Sequence, residues 1–141
     1  MKFRMGVAVL SLAGVMISVY LWMFKHGYIG ALACGSGECA TVQLSEYSSF
    51  LGVDVALLGA LAYTALLGLA MLGLQPAWVD RREPTRAMLL LAAGGVLFAA
   101  YLTWLELFVI HAICRWCVGS AVIIVLVLAL AVLDQRRLAR R

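Results

Sequence analysis

HAICRWCVGSAVIIVLVLALAVL, residues 111–133, decides the fold: the pair Cys114 and Cys117 runs directly into Val118 to Leu133, a stretch without a single charge. A membrane span needs roughly 20 predominantly apolar residues, because about 1.5 Å of rise per residue must cover about 30 Å of hydrocarbon. Read as one helix with the cysteine pair in its first turns, this stretch reaches that length. Working outward, Met5 to Phe24, Val55 to Leu74 and Ala87 to Leu105 are uncharged runs of the same kind. The expectation is an all-α integral membrane protein: a four-transmembrane-helix bundle, one domain over residues 1–141, with spans at about 5–24, 55–74, 87–105 and 111–133.

The whole chain agrees with that reading. Of its 141 residues, 65% are hydrophobic and 13% charged, against about half and about a quarter in a soluble domain. Such a composition has too little polar surface to cover a water-soluble globule. The net charge of +4 is no nucleic-acid signature, because the basic residues cluster at the ends of apolar runs. They read as orientation signals. Lys2 and Arg4, then Arg81, Arg82 and Arg86, then Arg136, Arg137, Arg140 and Arg141 fall on one side, nine of the eleven Lys and Arg. Lys25 and Arg115 remain for the other. Both termini are therefore expected in the cytoplasm, with all four cysteines at the periplasmic or extracellular face of the cell inner (plasma) membrane.

The first outer loop, 25–54, has its own pattern. Ser45 suits a helix N-cap and Gly52 a helix end, and Tyr47, Phe50 and Leu51 share one face between them. A short amphipathic helix lying on the membrane, as a lid over the bundle, is expected there. Ala31-Leu32-Ala33 ahead of Cys34 resembles a leader cleavage site. The apolar run before it is longer than a leader's and is followed by Lys25 and His26, so the first span is expected to stay.

The cysteines carry the chemistry. Cys114 and Cys117 at a helix start can form a readily opened disulfide, and the helix N-terminus with Arg115 favours a thiolate. Cys34 and Cys39 flank Gly-Ser-Gly-Glu, a loop supple enough to carry either sulfur to a partner. Two structural disulfides are the plain alternative. A four-thiolate zinc site is a third reading, disfavoured because such sites sit on rigid knuckles in water and because thiolates facing an oxidising compartment oxidise. No metal is expected.

This layout resembles the vitamin K epoxide reductase family. The likeness rests on a loop pair before the second span, Cys39, Val42 and Ser45 as Cys-x2-Val-x2-Ser, and Cys-x2-Cys opening the last helix. Phe50-Leu51-Gly52-Val53 followed by Gly59 and Tyr63 extends it over nearly the whole chain. The resemblance implies a four-helix bundle around a quinone (menaquinone or ubiquinone) near the outer face. It implies Cys34 and Cys39 as the shuttle pair, and Cys114 and Cys117 as the catalytic pair with Cys117 nearest the quinone. It places Ser45 and Phe50 beside the quinone. The sequence carries no fused thioredoxin domain, so a separate thioredoxin-like partner is implied, with the loop pair receiving its electrons and supporting disulfide bond formation.

Two departures from the vertebrate enzymes stand out. Where those carry a tyrosine four residues after the second cysteine of the pair, this chain has Ala121, preceded by Ser120. Where they carry a pocket asparagine, Val55 stands. Plain quinone reduction is therefore expected over epoxide reduction. The disulfide-bond oxidase B type does a similar job with four helices, but its Cys-x2-Cys lies in the first outer loop, the reverse of the order here. A non-enzymatic bundle held by structural disulfides is the rival from another class.

Overall fold

The computed structural model describes residues 2–25, 49–50, 53–110 and 115–140. Four helices dominate it: α1 (Lys2–Lys25), α2 (Val55–Gly73), α3 (Glu83–Leu105) and α4 (Arg115–Ala139), with one π-helical turn, Glu106–Ile110, after α3. All four are long and apolar enough to cross a membrane. In hydrocarbon every backbone N–H and C=O must bond within its own segment, and an uncharged run rich in Leu, Ala and Val meets that demand as a helix. At about 1.5 Å per residue, the 19 residues of α2 cover about 28 Å.

The helix ends follow local chemistry. Glu83 and Pro84 open α3, an acid favoured by the helix dipole and a proline in the first turn, where its missing N–H costs nothing. Helix α4 carries Arg136 and Arg137 in its last turn, matching the negative end of its dipole. It runs six residues past Leu133, because Asp134 is buried rather than marking the exit from the apolar layer.

The amphipathic helix expected across Ser45–Gly52 is corrected where that stretch is described. Ser49–Phe50 (β1) is extended and pairs antiparallel with Val53–Asp54 (β2), Ser49 opposite Asp54 and Phe50 opposite Val53. Three apolar residues in a short window fit one turn of helix or a strand pair equally well. Residues 45–48 and 51–52 lie outside the described residues.

Helix α1 packs along α2 and α4, and α3 packs along α4 and α2. The tight core occupies the half of the bundle that carries both termini. There Val7, Leu66, Ala70, Met88, Ala92, Val127 and Ala131 are almost wholly buried. Small residues allow the closest approaches: a Cβ added at Gly14 would lie 2.5 Å from the Tyr63 ring. Side chains such as Val9, Leu97 and Met16 point outward and are well exposed, as a lipid-facing belt must be.

One ion pair ties this end together. Arg4, only 1% exposed, donates through Nε to Asp134 Oδ2 at 2.9 Å. Its Nη1 reaches the carbonyls of Gly73, Trp78 and Val79, and Nη2 reaches the Arg81 carbonyl and Thr85 Oγ1. Thr85 Oγ1 also donates to Asp134 Oδ2, and Arg137 approaches the other carboxylate oxygen at 2.8 Å. The sequence suggests only an orientation signal for Arg4; the structure adds that it joins all four helices.

Removing one partner leaves the other charge buried. Asp134→Ala is expected to destabilise the bundle by about 3–5 kcal/mol, read as a lower thermal midpoint in detergent. Replacing both partners together, Arg4→Met with Asp134→Leu, is expected to recover much of that loss. A double variant no more stable than the single one would contradict this account of the pair.

Candidate functional site

Beyond Tyr63 and Ile124 the packed core gives way to a cavity of about 560 Å³, walled by all four helices. Its origin is compositional. At the level where the packed half has Leu66, Met88 and Val127, the walls here offer Gly59, Ala62, Gly94, Gly95, Ala99 and Ala121. On α3 the lining runs from Leu90 to Thr103, about 20 Å of helix at the α-helical rise. The surface is overwhelmingly apolar. A concave apolar space of this size with a few polar groups is the usual form of a small-molecule site, for which about 300–1,000 Å³ is typical.

Cys117 stands on this wall. It is the third residue of α4, in the first turn after Arg115. Ser120, three residues on and so on the same helical face, also lines the cavity. Across from it Tyr63, 4% exposed, holds its hydroxyl 2.7 Å from the Ser120 carbonyl and 2.8 Å from Ser120 Oγ. Next to Cys117, Trp116 packs its ring against Tyr20 of α1, centroids 5.1 Å apart. That contact fixes the start of α4 against α1. Thr103, another hydroxyl on the wall, donates back to its own helix at Ala99, 2.8 Å away.

Of the residues singled out from sequence, Cys117 is described and faces the cavity. Cys34, Cys39, Ser45 and Cys114 lie outside the described residues. Phe50 is described only as backbone, in β1. Val55 and Ala121, the two positions where polar residues of the vertebrate enzymes are replaced, both line the cavity. The Tyr63–Ser120 pair was not assigned a role from sequence. Its local signal was the spacing from Cys117 to Ser120, which puts a hydroxyl on the cysteine's face, but the partner lies 57 residues away. Among the described residues no cluster of three or more His, Cys, Asp or Glu is placed to hold a metal ion.

A multi-pass helical bundle whose last helix sets a cysteine against an apolar intramembrane cavity has the frame of a membrane redox protein. The sequence model of the Vitamin K epoxide reductase family matches residues 5–132, most of the chain, and the chain belongs to that family. Membership makes it a membrane thiol–disulfide oxidoreductase.

The wall itself can be tested. A Cβ at Gly94 would meet nothing within 4 Å, whereas one at Gly95 would lie 2.9 Å from the Ile124 side chain. Gly94→Leu is expected to keep the thermal midpoint of the parent while filling the cavity. Gly95→Leu is expected to lower stability by about 1–3 kcal/mol, the usual range for overpacking. Equal losses in the two variants would mean that the space beside Gly94 is not open.

Proposed function

We propose that this protein oxidises a thioredoxin-like partner at the outer face of the cell inner membrane and passes the electrons to a quinone, menaquinone or ubiquinone, supporting disulfide bond formation. The observation that carries the reading is Cys117 on the wall of an apolar cavity within the bundle. A sulfur there can meet a ring from the lipid phase, which water-soluble oxidants do not enter. The positive-inside arrangement of nine of eleven Lys and Arg supports cytoplasmic termini and outward-facing cysteines.

The chemistry is thiol–disulfide exchange until its last step. A thiolate of the reduced partner attacks the Cys34–Cys39 disulfide, most directly at Cys34, and the partner leaves with its own disulfide formed. Cys39, now a thiolate, attacks Cys114 of the Cys114–Cys117 disulfide and expels Cys117 as a thiolate. Cys34 resolves the Cys39–Cys114 bond, which restores the loop disulfide and leaves Cys114 as a thiol. Two electrons then leave the Cys114/Cys117 dithiol as its disulfide re-forms, and the quinone that takes them up with two protons departs as the quinol. Cys117 is the sulfur at the ring, with Ser45 and Phe50 as further contacts. Helix-start geometry favours its thiolate, because the unpaired N–H groups of a first turn stabilise negative charge.

Purified protein in detergent tests this directly. Cys117→Ala and Cys114→Ala are expected to cut quinone reduction by several orders of magnitude with any donor, as loss of a covalent nucleophile does. Cys34→Ser and Cys39→Ser are expected to fail only with a protein donor and to turn over with a small dithiol. Undiminished quinone reduction by Cys117→Ala would sink the mechanism.

A further inference from the structure

The Tyr63–Ser120 pair is unusual for its place. It sits in a largely apolar wall, whose other hydroxyls are Ser18 on α1 and Thr103 on α3, and Ser120 shares with Cys117 the face of α4 that lines the cavity. Its geometry is constrained from behind: a Cβ at Gly14 would come within 2.5–2.6 Å of three carbons of the Tyr63 ring, so the ring lies flat on α1 with its hydroxyl held at Ser120. A purely structural bond would need only one acceptor. Here the tyrosine oxygen faces two, the Ser120 carbonyl at 2.7 Å and the Ser120 hydroxyl at 2.8 Å.

A phenol and an alcohol each bring one proton and two lone pairs, and that arithmetic gives the pair two settings. With the Tyr63 proton on the Ser120 carbonyl, the Ser120 proton points to the tyrosine oxygen, and Ser120 Oγ offers the cavity lone pairs only. With the Tyr63 proton on Ser120 Oγ, the Ser120 proton is released and can be donated into the cavity. Both settings use the same heavy-atom positions. The pair can therefore donate to a carbonyl or accept from a hydroxyl without moving. Those are the groups that distinguish a quinone from its quinol.

We propose that Ser120 is the hydrogen-bonding anchor for one ring oxygen of the quinone, and that Tyr63 is the positioning residue that sets the direction of its hydroxyl. This rests on the quinone-reducing reading above. It adds that oxidised and reduced rings are held at the same place beside Cys117, by a pair that reverses its hydrogen bond between them. Val55 and Ala121, on the same cavity wall, offer no hydrogen bond of their own, and Thr103 donates to Ala99 of its own helix. Of the two wall hydroxyls that remain, Ser18 on α1 and Ser120, only Ser120 shares the face of α4 with Cys117.

The test uses the purified full chain and a dimethylated naphthoquinone, blocked against thiol addition and isotope-labelled at both carbonyl carbons. In infrared difference spectra of the bound probe, one carbonyl stretch is expected to fall below its position in an apolar solvent. Ser120→Ala should abolish that shift, Ser120→Thr should retain it, and Tyr63→Phe should weaken it. In turnover, Ser120→Ala is expected to raise KM for the quinone about 5- to 10-fold, the worth of one neutral hydrogen bond, with KM for the dithiol donor unchanged. A bound probe with both carbonyls unshifted, or a shift that survives Ser120→Ala, would overturn the anchor while leaving quinone reduction standing. Failure of the wild-type protein to bind or reduce the probe would remove both.

Discussion

The Arg4–Asp134 pair is the constraint around which the bundle is arranged. An ion pair taken out of water gains little net energy, because desolvation offsets most of the attraction. What it does supply here is position. Arg4 spends its donors on Asp134 near the end of α4, on Thr85 in the first turns of α3, and on carbonyls from Gly73 at the end of α2 through the turn at Arg81. The last carbonyls of a helix have no partner within it, and a buried guanidinium is well suited to collect them. All four helices are thereby brought to one level, and a slip of any one by a turn would strand a charge.

That closure at one end permits openness at the other. Side chains that fill the terminal half are replaced, in the opposite half, by glycine and alanine facing inward from three helices. Transmembrane helices associate through packing, since lipid is as apolar as their side chains. A half-empty bundle therefore depends on its packed half and its ion pair to stay assembled. Tyr63 and Ile124 mark the boundary: both belong to the buried cluster and both line the cavity. Helix α4 connects the two regimes, carrying Asp134 in the closed half and Cys117 with Ser120 in the open one.

How much of this was legible in the sequence depends on the range of the interactions involved. Four spans could be read because each is a local property, a run of apolar residues bounded by charge. The family, too, was legible, since cysteine spacing is linear. The burial of Asp134 was not: Asp-Gln-Arg-Arg reads as a chain leaving the membrane, and only Arg4, 130 positions away, makes another outcome affordable. The same holds for Tyr63 and Ser120, each unremarkable alone and informative only once folding has brought them 2.8 Å apart. The strand pair at Ser49–Phe50 and Val53–Asp54 shows the opposite failure. A helical face inferred from three apolar residues was local but too short to separate a period of 3.6 from one of two.

The placement of the cavity also bears on which chemistry the chain can support. A sulfur on a water-filled surface would exchange with any thiol that diffused past. Cys117 instead stands on a wall whose lining is overwhelmingly apolar, a surface that favours a membrane-soluble molecule over a water-soluble one. Under the proposed function, the protein thiols that supply the electrons cannot enter that space. On that reading a second pair of cysteines, Cys34 and Cys39, has a physical reason to exist: electrons would cross from an aqueous donor to a lipid-soluble acceptor, and one sulfur pair beside the cavity would not face both. The proposed relay divides the task between the two pairs along the boundary between the two solvents.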